Sequence, residues 1–226
     1  MIRLRSGRIE VALHTLRDAP GPILLCLHAL RGRGADFAEL AGAWPGRVLA
    51  LDFSGHGESD RPRGAAYTPE LLAGDADAAL AHAGRACLAG VGLGAYVALL
   101  VAGARPDRVP AAILLPGAGL EGSRTLPHTL VSGDALLEEV SELLEAARRR
   151  DGSGFDPMVR LLDADPRPPD YARAHADRAN RLLLAEDGEL RPIWWESVRE
   201  SGPALRAPAD PRAALAVLAR TEGLEA

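Results

Sequence analysis

The sequence predicts a single α/β domain over residues 1–226, an eight-strand, mostly parallel sheet with helices on both faces. Three observations carry this. Eight strand-length runs are present, the last six of them mainly apolar and alternating with longer stretches of helical periodicity, the pattern of parallel strands joined by covering helices. The first two runs alternate in polarity instead of being apolar throughout, as the strands of an antiparallel hairpin do. The chain has 226 residues, 47% of them hydrophobic, enough for one full core.

In chain order, residues 2–6 and 9–17 form the hairpin, and Pro20-Gly21-Pro22 makes the turn into the run 23–27. Runs 47–52, 86–89 and 111–115 follow as buried strands, with helices near 35–43, 69–84 and 94–104 between and after them. Thr68-Pro69-Glu70 is a helix start, with Thr as cap and Pro at the first helical position. The alternation then breaks, and residues 118–170 are read as a lid insertion over the mouth of the sheet. Within it, 136–150 is a helix with Leu136, Val140, Leu143, Leu144 and Ala147 on one face and Arg148 to Arg150 as a solvated end favoured by the helix dipole. Strands near 181–185 and 203–206 and helices near 194–200 and 211–220 complete the chain.

The net charge of −5 argues against nucleic acid or an anionic membrane as partner, since both reward concentrated positive charge. All basic residues are Arg, so lysine Schiff-base chemistry is excluded. No run approaches the ~20 apolar residues of a membrane helix, and the N-terminus has no signal-peptide core, so the expected location is cytoplasmic. Cys26 and Cys87 sit in strand runs and are read as buried, reduced thiols. Neither has metal-ligand spacing, and no metal or cofactor is expected.

Three segments carry chemistry. Leu27-His28-Ala29-Leu30 follows the third strand, Asp52-Phe53-Ser54-Gly55-His56-Gly57-Glu58-Ser59 follows the fourth, and Gly90-Val91-Gly92-Leu93-Gly94 joins a strand to a helix. In this order and spacing the chain resembles the α/β-hydrolase superfamily: a His-Gly turn, a D-x-x-G-x-G-x-S turn and the G-x-S-x-G nucleophile elbow. The resemblance implies the α/β-hydrolase fold, with backbone N–H groups of Leu30 and Leu93 forming an oxyanion hole. It also implies a serine nucleophile at position 92, where this chain has Gly. Gly accepts the positive φ of the elbow without steric cost. G-x-G-x-x-A at 90–95 also matches a dinucleotide fingerprint, but the next strand is followed by Pro116-Gly117 and not by the acid that a ribose requires.

The other members implied by the resemblance are also displaced. No His occurs from Ser201 to Ala226, and the acid position aligns with Gly188, or alternatively with Pro116. His14 and His82 are read as surface residues, His28 and His56 as braces of their turns. His128, His175, Glu186 and Asp187 are candidate relocated groups, and Glu189 could present a further carboxylate. Ala29, Leu30, Gly92 and Leu93 are the expected ligand-binding positions. Trp194-Trp195 is read as core or lid packing.

Three functions are compatible with these residues. The first is a non-hydrolytic homologue that binds a small apolar molecule without a covalent step. The second is an enzyme (hydrolase, lyase or cyclase) with relocated acid and base groups around a retained oxyanion hole. The third is a structural or interaction protein with a filled pocket. Oligomeric state is left open.

Overall fold

A computed structural model describes residues 1–62, 67–120, 154–163, 168–186 and 191–220. The strands are β1 (Ile2–Ser6), β2 (Ile9–Arg17), β3 (Leu24–Leu27), β4 (Val48–Leu51), β5 (Cys87–Val91), β6 (Ala112–Leu115), β7 (Leu182–Glu186) and β8 (Ala204–Pro208). They form one sheet in the order β1-β2-β4-β3-β5-β6-β7-β8. β1 and β2 pair antiparallel and β2 meets β4 antiparallel, whereas β4 through β8 run parallel. The predicted eight-strand α/β-hydrolase architecture is therefore the observed one.

Helices α1 (Pro69–Ala83), α2 (Leu93–Ala104), α3 (Pro169–Ala176), α4 (Ile193–Arg199) and α5 (Pro211–Ala219) cover the sheet. The two-residue period of the strands divides the core into two layers. Leu25, Leu27, Leu88 and Leu114 pack with residues of α1 and α2 and with Trp194 and Trp195 of α4. Leu24, Cys26, Ala89 and Ile113 pack on the other side, with Phe37, Trp44 and the apolar stripe of α5. The Thr68 hydroxyl accepts the Leu71 N–H at 3.3 Å, the predicted cap of α1. Asp210 caps α5 in the same way, accepting the Ala213 N–H at 2.7 Å.

One predicted helix is shorter than expected. Residues 35–43 form two 3-10 turns, Gly34–Phe37 and Ala41–Ala43, because Gly42 weakens a continuous helix and Pro45 ends it. The segment 118–170, expected to be a lid insertion, is described only in part: the predicted helix 136–150 lies outside the described residues. Its described return comprises a 3-10 segment, Pro157–Leu162, and α3. That return is stitched to the turn after β4, with the Gly57 N–H on the Gly154 carbonyl (2.8 Å) and the Asp156 N–H on that of Gly55 (2.6 Å). Tyr67 reinforces the joint by donating its hydroxyl to Asp156 at 3.0 Å. Among the described residues, no helix is long and apolar enough to cross a membrane.

Candidate functional site

The elbow forms where β5 runs into α2. Gly92 holds φ 53° and ψ −113°, a left-handed conformation costly to any side chain. Its N–H bonds the Leu115 carbonyl at 3.0 Å, and its own carbonyl accepts Ala95 and Tyr96 as the helix begins. Gly94 lets α2 approach β3 closely, since a Cβ there would lie 2.5 Å from the Leu27 carbonyl carbon.

The space above Gly92 is filled by main chain. A Cβ at position 92 would lie 2.5 Å from the carbonyl carbon of Gly117 and 2.7 Å from the nitrogen of Ala118, and closer still to the Ala118 oxygen. That same oxygen accepts the N–H of Leu30 at 3.1 Å and of Leu93 at 2.9 Å. Leu93 is the first residue of α2, so its amide belongs to the unsatisfied, electropositive end of a helix. The amides of Leu30 and Leu93 thus converge on one oxygen, as expected of an anion-stabilising pair, and the oxygen is the protein's own.

The turn that supplies it is held on both sides. Leu120, 1% exposed, donates its N–H to the Leu162 carbonyl at 2.9 Å and accepts the Trp194 indole N–H at 3.0 Å. Leu120 has φ 59° and Arg31, next to Leu30, has φ 64°, so non-glycine residues in left-handed conformations flank the junction. Trp194 stacks edge-on against Tyr96 (5.0 Å between ring centroids) and Trp195 (5.4 Å). The tryptophan pair is therefore core packing, as read from the sequence, with the added task of anchoring residues 117–120.

His28 and His56 brace their turns. The His28 ring accepts the Phe53 N–H at 3.1 Å through Nε2 and donates from Nδ1 to the Ala29 carbonyl at 2.7 Å. Burial, partly offset by that bond and by Asp52, pushes its pKa down to about 4. His56 spans the Ser54 carbonyl (3.2 Å) and the Arg31 N–H (3.3 Å), and burial plus the neighbouring His28 lowers it to about 3. Both rings are neutral structural links at pH 7.

His82 is exposed, as expected. His14 departs from the surface reading: its side chain is only 20% exposed and its Nε2 lies 3.0 Å from Oδ2 of the buried Asp52. Strand pairing is the reason. His14 stands opposite Ala50 in the β2–β4 register, which puts it diagonally across from Asp52 on one face of the sheet.

Of the candidate relocated groups, His175 and Glu186 are among the described residues. His175 lies on α3 over the C-terminal half of α2, where its main chain packs against Gly103 and its ring lines a cleft with Leu100, Ala104 and Tyr171. Eleven residues separate Gly103 from Gly92, about 16 Å along a helix. Glu186 ends β7 and pairs with Arg206 of β8 at 3.2 Å. His128, Asp187, Gly188 and Glu189 lie outside the described residues. Of the expected ligand-binding positions, Leu30, Gly92 and Leu93 converge beneath the 117–119 turn, and Ala29 adjoins them only through the chain. Cys26 and Cys87 are buried free thiols whose pKa values burial pushes up. Among the described residues, no three His, Cys, Asp or Glu side chains cluster to hold a metal ion.

An eight-strand sheet of this order, with a strand–glycine–helix elbow facing a convergent amide pair, defines an α/β-hydrolase-fold protein. Residues 24–223 match the model of the alpha/beta hydrolase family, and the chain belongs to that family. Among solved structures it is similar to the hypothetical protein PA1622 from Pseudomonas aeruginosa PAO1 (24% identity, 97% of this chain and 96% of that one, TM-score 0.64). It is also similar to the bottromycin epimerase BotH in complex with bottromycin A2 (22% identity, 100% and 99%, TM-score 0.63). A third is an alpha/beta hydrolase from Sphaerobacter thermophilus DSM 20745 (19% identity, 96% and 98%, TM-score 0.66). No curated protein matches the chain.

Proposed function

We propose that the chain is a non-hydrolytic member of the family, in which the nucleophile elbow survives as a structural joint and the oxyanion hole is closed by the protein's own main chain. The observation that carries this reading is the Ala118 carbonyl, which takes both amides that would stabilise an oxyanion. A substrate oxygen reaches them only by displacing that carbonyl. The sequence adds the chemical argument: position 92 has no side chain, and residues 201–226 contain no His. Losing the nucleophile or base of a serine triad costs on the order of 10⁶ in turnover, leaving ~10³–10⁴ over water from the oxyanion hole and binding. Here the hole is engaged as well.

Of the readings open from the sequence, the filled pocket gains most, and a ligand, apolar or otherwise, binds away from Gly92 unless it displaces residues 117–119. The relocated-enzyme reading loses support because Glu186 is tied to Arg206 and His175 lies along α2 from the elbow. That an epimerase shares this fold over its whole length supports non-hydrolytic roles for such scaffolds in general. The two buried free thiols fit a reducing compartment and support a cytoplasmic location.

The test is incubation of the purified protein with short- and long-chain p-nitrophenyl esters and with a fluorophosphonate probe. The expected result is no turnover above buffer and no covalent label. A labelled residue, mapped by mass spectrometry, overturns the reading and identifies the nucleophile.

A further inference from the structure

A polar cavity of about 530 Å³ lies beside the turn that follows β4, with His14, Arg31, Arg33, Asp36, Asp52 and Glu58 in its walls. Asp52 is fixed at its base. One carboxylate oxygen accepts the Gly34 N–H at 2.6 Å, and the other accepts the Glu58 N–H at 2.8 Å and faces Nε2 of His14 at 3.0 Å. Burial opposes the charge on Asp52, but these partners outweigh it and hold the carboxyl below its usual range. An ionised carboxylate only accepts, so the His14 ring carries its proton on Nε2 and donates it to Asp52. In the neutral ring, Nδ1 is then an acceptor.

The cations are less fully engaged. Arg31 bonds Asp163 through one nitrogen at 2.8 Å, and the Arg33 guanidinium comes no nearer to Asp36 than 3.9 Å. Asp36 is itself occupied by the Arg33 N–H at 2.9 Å. The exposed Glu58 carboxylate adds negative charge to the wall, which disfavours a dianion such as phosphate and favours a monoanion or zwitterion.

We propose that this cavity binds a small carboxylic acid that carries a neighbouring N–H or O–H donor, an amino acid or a hydroxy acid. The carboxylate takes the guanidinium groups of Arg33 and Arg31, whose planar forks suit it. The donor goes to Nδ1 of His14, which Asp52 holds in the accepting tautomer. A donorless acid leaves Nδ1 unused, and a neutral polyol leaves the arginines unused. The inference uses neither Gly92 nor Ala118, so its outcome and that of the elbow reading are separable.

The experiment is a titration of ring-labelled histidine protein, followed by NMR, with L-alanine, lactate, acetate and inorganic phosphate at about pH 8. The His14 resonances are assigned by their loss in His14→Gln. Alanine or lactate is expected to move them saturably, and the moving ligand tells which donor is used. Acetate and phosphate are expected to bind several-fold more weakly. Arg33→Gln, at an exposed position, is expected to weaken the better ligand about tenfold, as loss of one charge-assisted pair does. The proposal is overturned if neither alanine nor lactate moves the His14 ring, if acetate or phosphate binds as tightly, or if Arg33→Gln leaves the affinity unchanged.

Discussion

The carbonyl oxygen of Ala118 accepts the N–H of Leu93 at 2.9 Å, so the first amide of α2 is satisfied by the turn that follows β6. In an acyl-transfer enzyme that amide must be available to a developing oxyanion, because stabilising the charge is the largest single contribution the site makes. Here the bond to Ala118 gives it a structural task. It fastens α2, β6 and, through Leu30, the turn after β3 into one junction.

Gly92→Ser tests that junction. A side chain at φ 53° costs about 1–3 kcal/mol in backbone strain alone, and its Cβ must push back Gly117 and Ala118. The variant is expected to melt several degrees lower and to remain unlabelled by fluorophosphonate, since a new hydroxyl finds no base. Gly92→Ala is expected to lose as much stability, which separates the steric effect from the hydroxyl. Esterase activity in Gly92→Ser would show that a base lies within reach.

Trp194→Phe keeps the aromatic packing against Tyr96 but removes the indole N–H that Leu120 accepts. A buried carbonyl left without a donor costs about 1–3 kcal/mol. The loosening is expected to be local. Hydrogen exchange at the Leu30 and Leu93 amides, both donating to Ala118, should accelerate more than exchange in the central strands, and equal acceleration throughout would mean that the turn has no stability of its own.

The sheet, the elbow and the cap at Thr68 were legible because each is written in side-chain type and spacing: apolar runs, a glycine pattern, a hydroxyl before proline. The closure above Gly92 was not legible, because a main-chain carbonyl does the work and any residue at 118 can supply one. Gly117 and Gly119 on either side were the only hint, and glycines after a strand usually mean a turn. The His14–Asp52 pair escaped for a different reason. Thirty-eight residues separate them, and they meet only through the β2–β4 register. His28 and His56, lying within the motifs, could be read as braces directly.

Asp75 on α1 ties the N-terminal hairpin to the turn after β4, accepting the Ser6 hydroxyl at 2.6 Å, the Ser54 N–H at 2.9 Å and the Ser54 hydroxyl. Burial, against the pull of these bonds, raises its pKa. Asp75→Ala strands several buried donors and is expected to cost roughly 3 kcal/mol or more. Asp75→Asn keeps one accepting oxygen without the charge that burial opposes and is expected to cost less than half as much. Urea denaturation of the two variants measures the difference, and equal losses would show that the charge itself matters.

The buried histidines set how stability depends on pH. The folded pKa values of His28 and His56, about 4 and about 3, lie below the value near 6.5 of an unfolded imidazole. The unfolded chain therefore binds more protons than the folded one as pH falls below about 6.5, and stability must fall with it. Each ring contributes up to about 1.4 kcal/mol per pH unit until its folded pKa is reached. His175, half-buried and lowered by burial, adds a smaller amount in the same sense. Asp75 works in the opposite sense, from the ordinary carboxylate range up to its raised pKa. Comparing wild type with His56→Gln cancels it. Between about pH 7 and pH 5 the two rings together account for roughly 3–4 kcal/mol of lost stability, and in urea denaturation the variant's slope should be shallower than the wild type's by about one ring. Identical slopes would mean that His56 is not held neutral by the fold.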